Sequence, residues 1–263
     1  MTMSEIIIKA EHLSKSFPER AGRLDAVRDV SFTLSRGEVL GIVGESGSGK
    51  STVARMLTGM LTPTEGRVEV LDGPCFVAGE KRKQCRWGKN ENRGKRQKIQ
   101  MVFQMPTESF DPRHTLGDGI GEVLRNSGMS RKESRKKVEE LLQRCGLPEE
   151  FADRYPHQAS GGQCQRAAIA RALAGKPEIL ICDEATSALD VTMQAQILEL
   201  LIDLKEKEGM SQILICHDLA LVQKLCDRVL VMYRGQIVEQ GTTEEVIRYP
   251  KQDYTRRLVE AAY

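Results

Sequence analysis

Nine residues, GESGSGKST from Gly44 to Thr52, set three glycines ahead of a lysine and two hydroxyls in the spacing G-x-x-x-x-G-K-S, directly after the apolar run Val39 to Val43. Each part of that pattern has a use against a phosphate. Gly47 and Gly49 let backbone N–H groups close around a β-phosphate, the start of the following helix favours its charge, Lys50 reaches the β and γ oxygens, and the Ser51 hydroxyl can ligate Mg²⁺. The run EILICDEA carries a second signal, two adjacent carboxylates, Asp183 and Glu184, closing an apolar strand. Asp183 is expected to hold Mg²⁺ through water, and Glu184, one residue farther out, to polarise an attacking water. Gln104 closes the run IQMVFQ and His217 closes QILICH. Both are expected at the carboxyl edge of a sheet, where open α/β sheets bind ligands, with His217 near the γ-phosphate.

The stretch HQASGGQCQRAAIARAL, His157 to Leu173, holds another glycine pair ahead of a helical run. Ser160 reads as the helix N-cap, and Gly161 and Gly162 permit close backbone approach, so this loop too can bind an anion. The chain's own phosphates are already enclosed by the first loop. A loop ending an inserted helical stretch projects outwards, which assigns its phosphate to another subunit's nucleotide; an ordinary capped helix start is the plainer alternative.

These residues need a sheet to hold them at one edge. Strand-length apolar runs recur at Ile6 to Ala10, Val30 to Leu34, Val39 to Val43, Arg67 to Val70, Ile99 to Phe103, Ile179 to Cys182, Ile213 to Cys216, Val229 to Met232 and Gln236 to Glu239. The early and final ones read as antiparallel, with Gly at turns, whereas the middle ones are uniformly apolar, as buried parallel strands are. Between Pro106 and His157 the strand signal stops, and Val138, Leu141, Leu142 and Cys145 fall at helical spacing before Gly146. The expected fold is therefore α/β, with an inserted helical subdomain.

Composition narrows the class. With 39 basic and 37 acidic residues among 263, the formal charge is +2, which argues for neither a nucleic-acid binder nor a membrane-surface protein. The one biased segment is basic, Lys81 to Lys98, with Trp87 as its single aromatic. It reads as a solvated loop, because base-stacking sites interleave several aromatics with the charges. Seven scattered cysteines without C-x-x-C spacing suit reduced thiols rather than zinc or disulfides. No signal peptide is read at the start, and no run approaches the ~18 apolar residues of a membrane helix, so a membrane role needs a partner.

In order, these pieces resemble the ATP-binding subunits of ABC transporters: Walker A at Gly44 to Ser51, Q-loop Gln104, signature ASGGQ at Ala159 to Gln163, Walker B ending in Asp183 and Glu184, D-loop Ser187 to Asp190, and switch His217. The resemblance implies a P-loop NTPase of ABC type, a RecA-like parallel-sheet core with an antiparallel β subdomain and an inserted helical subdomain. Core and β subdomain would span about 1–104 and 160–240, the helical subdomain 105–159 and a helical tail 241–263. It implies ATP and Mg²⁺ as cofactors. Nucleotide would be held by Gly44, Glu45, Ser46, Gly47, Ser48, Gly49, Lys50, Ser51 and Thr52, by Phe17 stacking on adenine, and by Ser160, Gly161, Gly162 and Gln163 across a head-to-tail pair. Glu184, His217 and Gln104 would be catalytic, and Ser51, Gln104 and Asp183 would serve the metal.

Finer runs, SFDPRHTLG, DEATSALDVTMQAQIL and CDRVLVMYRGQIVEQG, resemble the peptide/nickel importer branch. That branch implies a second, non-identical ATPase, two membrane permeases, an extracytoplasmic binding protein, no nucleic acid, and a peripheral place on the cytoplasmic face of the membrane. Phe110, Asp111 and Arg113 would meet a membrane subunit. Ala159 stands where Leu is usual, Met105 where Asp is common, Ala185 where Pro is usual, and KQDYT replaces His-Pro-Tyr-Thr. The chain stops at Tyr263 without a cysteine-bearing extension, which leans towards nickel or metallophore cargo over peptides. The competing classes are a soluble ABC ATPase acting on nucleic acid or ribosomes, through Lys81 to Lys98, and a non-hydrolysing nucleotide-binding module, which the intact Glu184 and His217 disfavour.

Overall fold

Two fourteen-residue strands, β1 (Ile6–Glu19) and β2 (Gly22–Ser35), run antiparallel in the first of two units into which the chain divides, Met1–Arg96 with Lys205–Tyr263. The computed structural model describes residues 5–19, 22–71, 73–77, 98–185 and 191–262. Ile8 pairs with Leu34, Ala10 with Phe32 and Leu13 with Val30, and all six are buried. Both strands run well beyond the segments expected from alternation. Register shifts between Ala10 and Leu13 and between Leu13 and Lys15 explain why. A bulge changes which residues face the core, so period two stops being readable beyond it.

β4 (Glu65–Val70) pairs antiparallel with β1, and β5 (Gly73–Val77) with β4, giving the order β2-β1-β4-β5. β5 is not among the expected strands. It opens with Gly-Pro, a pairing that an edge strand tolerates and a central one does not.

In the same unit β3 (Val39–Val43) lies parallel to β8 (Ser211–Cys216) on one side and to β9 (Arg228–Tyr233) on the other, and β10 (Gln236–Thr242) returns antiparallel to β9. Every residue of β3 and β8 is buried, which is why these strands are apolar throughout rather than alternating. Helices α1 (Lys50–Leu57), α6 (Leu219–Leu225), α7 (Thr243–Arg248) and α8 (Asp253–Ala262) complete the unit.

The second unit, Gln97–Leu204, pairs β6 (Ile99–Val102) in parallel with β7 (Ile179–Asp183). From Pro106 to His157 the chain holds helices and turns without a strand. In this unit α2 (Leu116–Asn126), α3 (Arg131–Arg144) and α4 (Gly161–Ala174) pack on one another, and α4 also on β6. In α3, Ser130 and Glu133 form a reciprocal capping box, and Ser134, Val138, Leu141 and Leu142 form the buried face. Burying each of these aliphatic side chains stabilises the fold by about 1.5–3 kcal/mol. Gly146, in the left-handed region at φ 69°, ends the segment. α5 (Val191–Glu208) follows, its last turn counted in the first unit. Among the described residues no helix is long and apolar enough to cross a membrane.

Candidate active site

Parallel pairing places the first group. Val43 lies opposite Cys216, so Gly44 and His217 are the next residues of neighbouring strands and leave the first unit's sheet at one edge. His217 is exposed there. The loop from Gly44 is close against backbone. A Cβ on Gly44 would sit 2.1 Å from the Met232 carbonyl oxygen, and one on Gly49, at φ 103°, would sit 2.4 Å from that of Ala26. Glycine is therefore required at both positions by neighbours that cannot rotate away.

Lys50 is buried, and its Nζ donates to Gly44 O at 2.7 Å and Glu45 O at 2.8 Å. Burial strips hydration from this ammonium, and phosphate oxygens would offer it a full opposite charge. Gly49 is the N-cap of α1 and supplies no side-chain cap. Ser48 is buried, and its hydroxyl has no hydrogen-bond partner among the described residues. An unpaired buried hydroxyl costs roughly 1–3 kcal/mol, which an anion in the loop would recover. Both features fit a phosphate. Glu45, Ser46 and Gly47 are exposed, and Ser51 and Thr52 half-buried. Phe17 is half-buried on β1, with Lys15 Nζ 5.3 Å from its ring centroid, a cation that the motifs do not flag.

The second unit carries the carboxylates. In the β6–β7 register Val102 lies opposite Cys182, so Gln104 and Glu184, each two residues farther on, leave their strands side by side. Gln104 Nε2 donates to Glu184 Oε2 at 2.6 Å. Asp183, one residue earlier, is the buried last residue of β7. Glu184 turns out of the strand at φ 49°. Holding a non-glycine residue in that left-handed region costs on the order of 1–3 kcal/mol, and such strain gathers at functional sites.

At the start of α4, Ser160 is the N-cap. Its hydroxyl accepts from the Gln163 amide at 3.3 Å, and the Gln163 side chain accepts from the Ser160 amide at 2.9 Å. The two glycines differ. A Cβ on exposed Gly161 would meet nothing within 4 Å, whereas one on buried Gly162 would lie 2.4 Å from the tip of Met193. Ser187 to Asp190 and most of the basic stretch lie outside the described residues; Lys98, its last member, pairs with Glu178.

Near Gln104 in sequence, a cavity of about 520 Å³ opens in the second unit between Phe110, Asp111, His114, Glu122 and Arg171. Phe110 does not project as a contact residue. It is 5% exposed and lies under the Arg171 guanidinium, 4.5 Å from the ring centroid, because Gly119 leaves room for its ring. Asp111 and Arg113 pair at 2.9 Å, and that guanidinium holds the Asp111 carboxyl well below the usual range. Cys145, Cys164, Cys182, Cys216 and Cys226 are free thiols, and burial pushes Cys145 and Cys182 up to about 12, which leaves them inert.

Residues 27–187, more than half of the chain, match the ABC transporter family domain. A probable peptide ABC transporter ATP-binding protein of Sinorhizobium fredii is 46% identical over 268 residues, covering 99% of this chain and 73% of its own. The oligopeptide transport ATP-binding protein of Escherichia coli is 48% identical over 240 residues, 90% of this chain and 69% of its own. Among solved structures, a dimeric bacterial ABC transporter cassette superposes with a TM-score of 0.80 at 30% identity, covering 90% of this chain and 99% of that one. A dimeric cassette in a post-hydrolysis state with ADP and Pi gives 0.79 at the same identity and the same coverage of both chains. With relatives aligned across nearly its whole length and the family domain spanning its phosphate loop and carboxylates, this chain belongs to the ABC transporter family, among its ATP-binding subunits.

Proposed function

We propose that the chain hydrolyses ATP to power a membrane importer of peptides, working as one of two head-to-tail ATPase subunits. The observation that carries the hydrolytic role is the Gln104–Glu184 hydrogen bond. A carboxylate at a strand end beside a neutral amide can polarise a water placed against it. Glu184 would be that base, with Gln104 and His217 beside the reacting phosphate. ATP would be held by Phe17 and by Gly44 through Thr52, and capped by Ser160 to Gln163 of a partner subunit. Ser51, Gln104 and Asp183 offer a hydroxyl, an amide and a carboxylate, the hard oxygen donors that suit Mg²⁺. When bound, the metal neutralises charge on the transferring phosphoryl group.

Peptide is the cargo in the names of the relatives above, and the nickel expectation draws no support from them. The partners would be a second, non-identical ATPase, two permeases and an extracytoplasmic binding protein, as the motif resemblance implies, with this chain on the cytoplasmic face of the membrane. The polar cavity above Phe110 would receive a permease helix, with Asp111, paired to Arg113, in its lining. Asp111→Lys should leave nucleotide binding intact and abolish stimulation by the permeases; unchanged stimulation would place docking elsewhere.

The decisive test is Glu184→Gln, which should lower turnover by roughly 10²–10⁴ while ATP binding persists. Undiminished turnover would remove Glu184 from the role.

A further inference from the structure

Several segments close around the phosphate loop, and one comes from the far end of the chain. Gly235 N, in the turn between β9 and β10, donates to Ser48 O at 3.0 Å, while the Met232 and Ala26 carbonyls back Gly44 and Gly49. From the first turn of α8, Tyr254 reaches the same loop: Glu45 N donates to its Oη at 2.9 Å, across 209 residues of sequence. Tyr254 is 7% exposed, and its ring lies against that of Tyr233, centroids 4.2 Å apart. Burial raises the phenol's pKa, so Tyr254 stays neutral and remains an acceptor with its proton on.

The bonded amide shares a peptide plane with Gly44 O, which accepts from Lys50 Nζ at 2.7 Å. A trans peptide points its N–H and C=O in opposite directions within one rigid plane. Tyr254 therefore holds one end of the plane whose other end holds the lysine. α8 is itself anchored where it begins, the Lys251 and Gln252 amides donating to Glu239 at 2.9 Å and 3.1 Å. Burial pushes the Glu239 carboxyl up, but the donors around it, those amides among them, outweigh that and keep it below its ordinary value.

We propose that Tyr254 is a positioning residue for nucleotide: by fixing the Gly44–Glu45 peptide plane it sets where Lys50 sits, so that the C-terminal helix governs ATP affinity. The proposal rests on Gly44 to Thr52 being the phosphate loop. Losing the hydroxyl alone, as in Tyr254→Phe, keeps the ring against Tyr233 and frees the plane to rotate.

In the full chain, titrated with a methylanthraniloyl ATP analogue and Mg²⁺, Tyr254→Phe should raise Kd about three- to tenfold, the range of one net hydrogen bond. KM for ATP should rise with it, while kcat stays within about twofold, because the loss falls on binding. The thermal midpoint without nucleotide should fall by no more than about 2–4 °C, the cost of one hydrogen bond. Unchanged Kd and KM would overturn the proposal, as would a lowered midpoint with unchanged affinity, which would reduce Tyr254 to packing. Should the variant not fold, amide exchange in the wild type decides: the Glu45 amide should be protected, and exchange at the rate of an open loop would overturn it. A wild type that binds no nucleotide would overturn the phosphate-loop reading together with this proposal, whereas a binding wild type with an equally tight variant removes Tyr254 alone.

Discussion

Two of the chain's glycine-bearing loops, at Gly44 to Thr52 and at Ala159 to Gln163, each open a helix and are built in opposite ways. At Gly44 to Thr52 the helix start has no side-chain cap, a serine hydroxyl lies buried without a partner among the described residues, and backbone carbonyls press on Gly44 and Gly49. At Ala159 to Gln163 the helix start is satisfied by its own Ser160 and Gln163, and Gly161 faces open space. The first loop leaves polar groups that an anion would satisfy. The second is complete by itself, so whatever it binds must be brought to it. A glycine pair ahead of a helix thus has two meanings, a cradle and a surface, and capping distinguishes them.

The largest effect expected from this contrast is at Gly49. Gly49→Ala places a Cβ against a backbone carbonyl at a positive φ, a strain of at least about 2 kcal/mol, and should weaken ATP binding by roughly thirtyfold or more. A nucleotide titration that finds wild-type affinity would show that the loop is not constrained as described. Gly161→Asp comes next. Its side chain has room, so the variant should fold and bind ATP in its own phosphate loop. A carboxylate facing a partner's phosphates should nonetheless lower turnover of the assembled pair by about tenfold or more, because like charges in a confined site repel. Chain-by-chain photo-crosslinking of trapped nucleotide tests this: loss of ATP from the mutated chain itself, with the partner's site still closing, would make the loop act in cis.

The smallest effect belongs to the cap. Ser160→Ala removes one hydrogen bond from the start of α4 and should cost about 1 kcal/mol, or a fall of some 2–4 °C in Tm. In the same scan Gly161→Ala should leave Tm unchanged or slightly higher, since alanine narrows the unfolded ensemble. A larger loss at Gly161 than at Ser160 would erase the distinction between the two loops.

Local features are legible in the amino-acid sequence. The phosphate loop, the capped start of α4, the amphipathic face of α3 and the division between apolar parallel and alternating antiparallel strands each depend on residues within a few positions of one another, where periodicity and capping chemistry operate. β5 and the outer halves of β1 and β2 are not legible there, because a Gly-Pro start and strand bulges break the alternation that marks a strand.

What the tertiary structure alone decided are pairings between distant positions. Gln104 meets Glu184 because β6 and β7 pair in one register rather than another. Phe110 is a buried floor and not a projecting contact because Gly119 and Arg171 receive its ring. Glu45 finds Tyr254 only after the C-terminal helix returns to the start of the core. No local pattern encodes such contacts. They are selected by packing and by the need to pair each buried polar group, conditions that hold only once the whole fold is assembled.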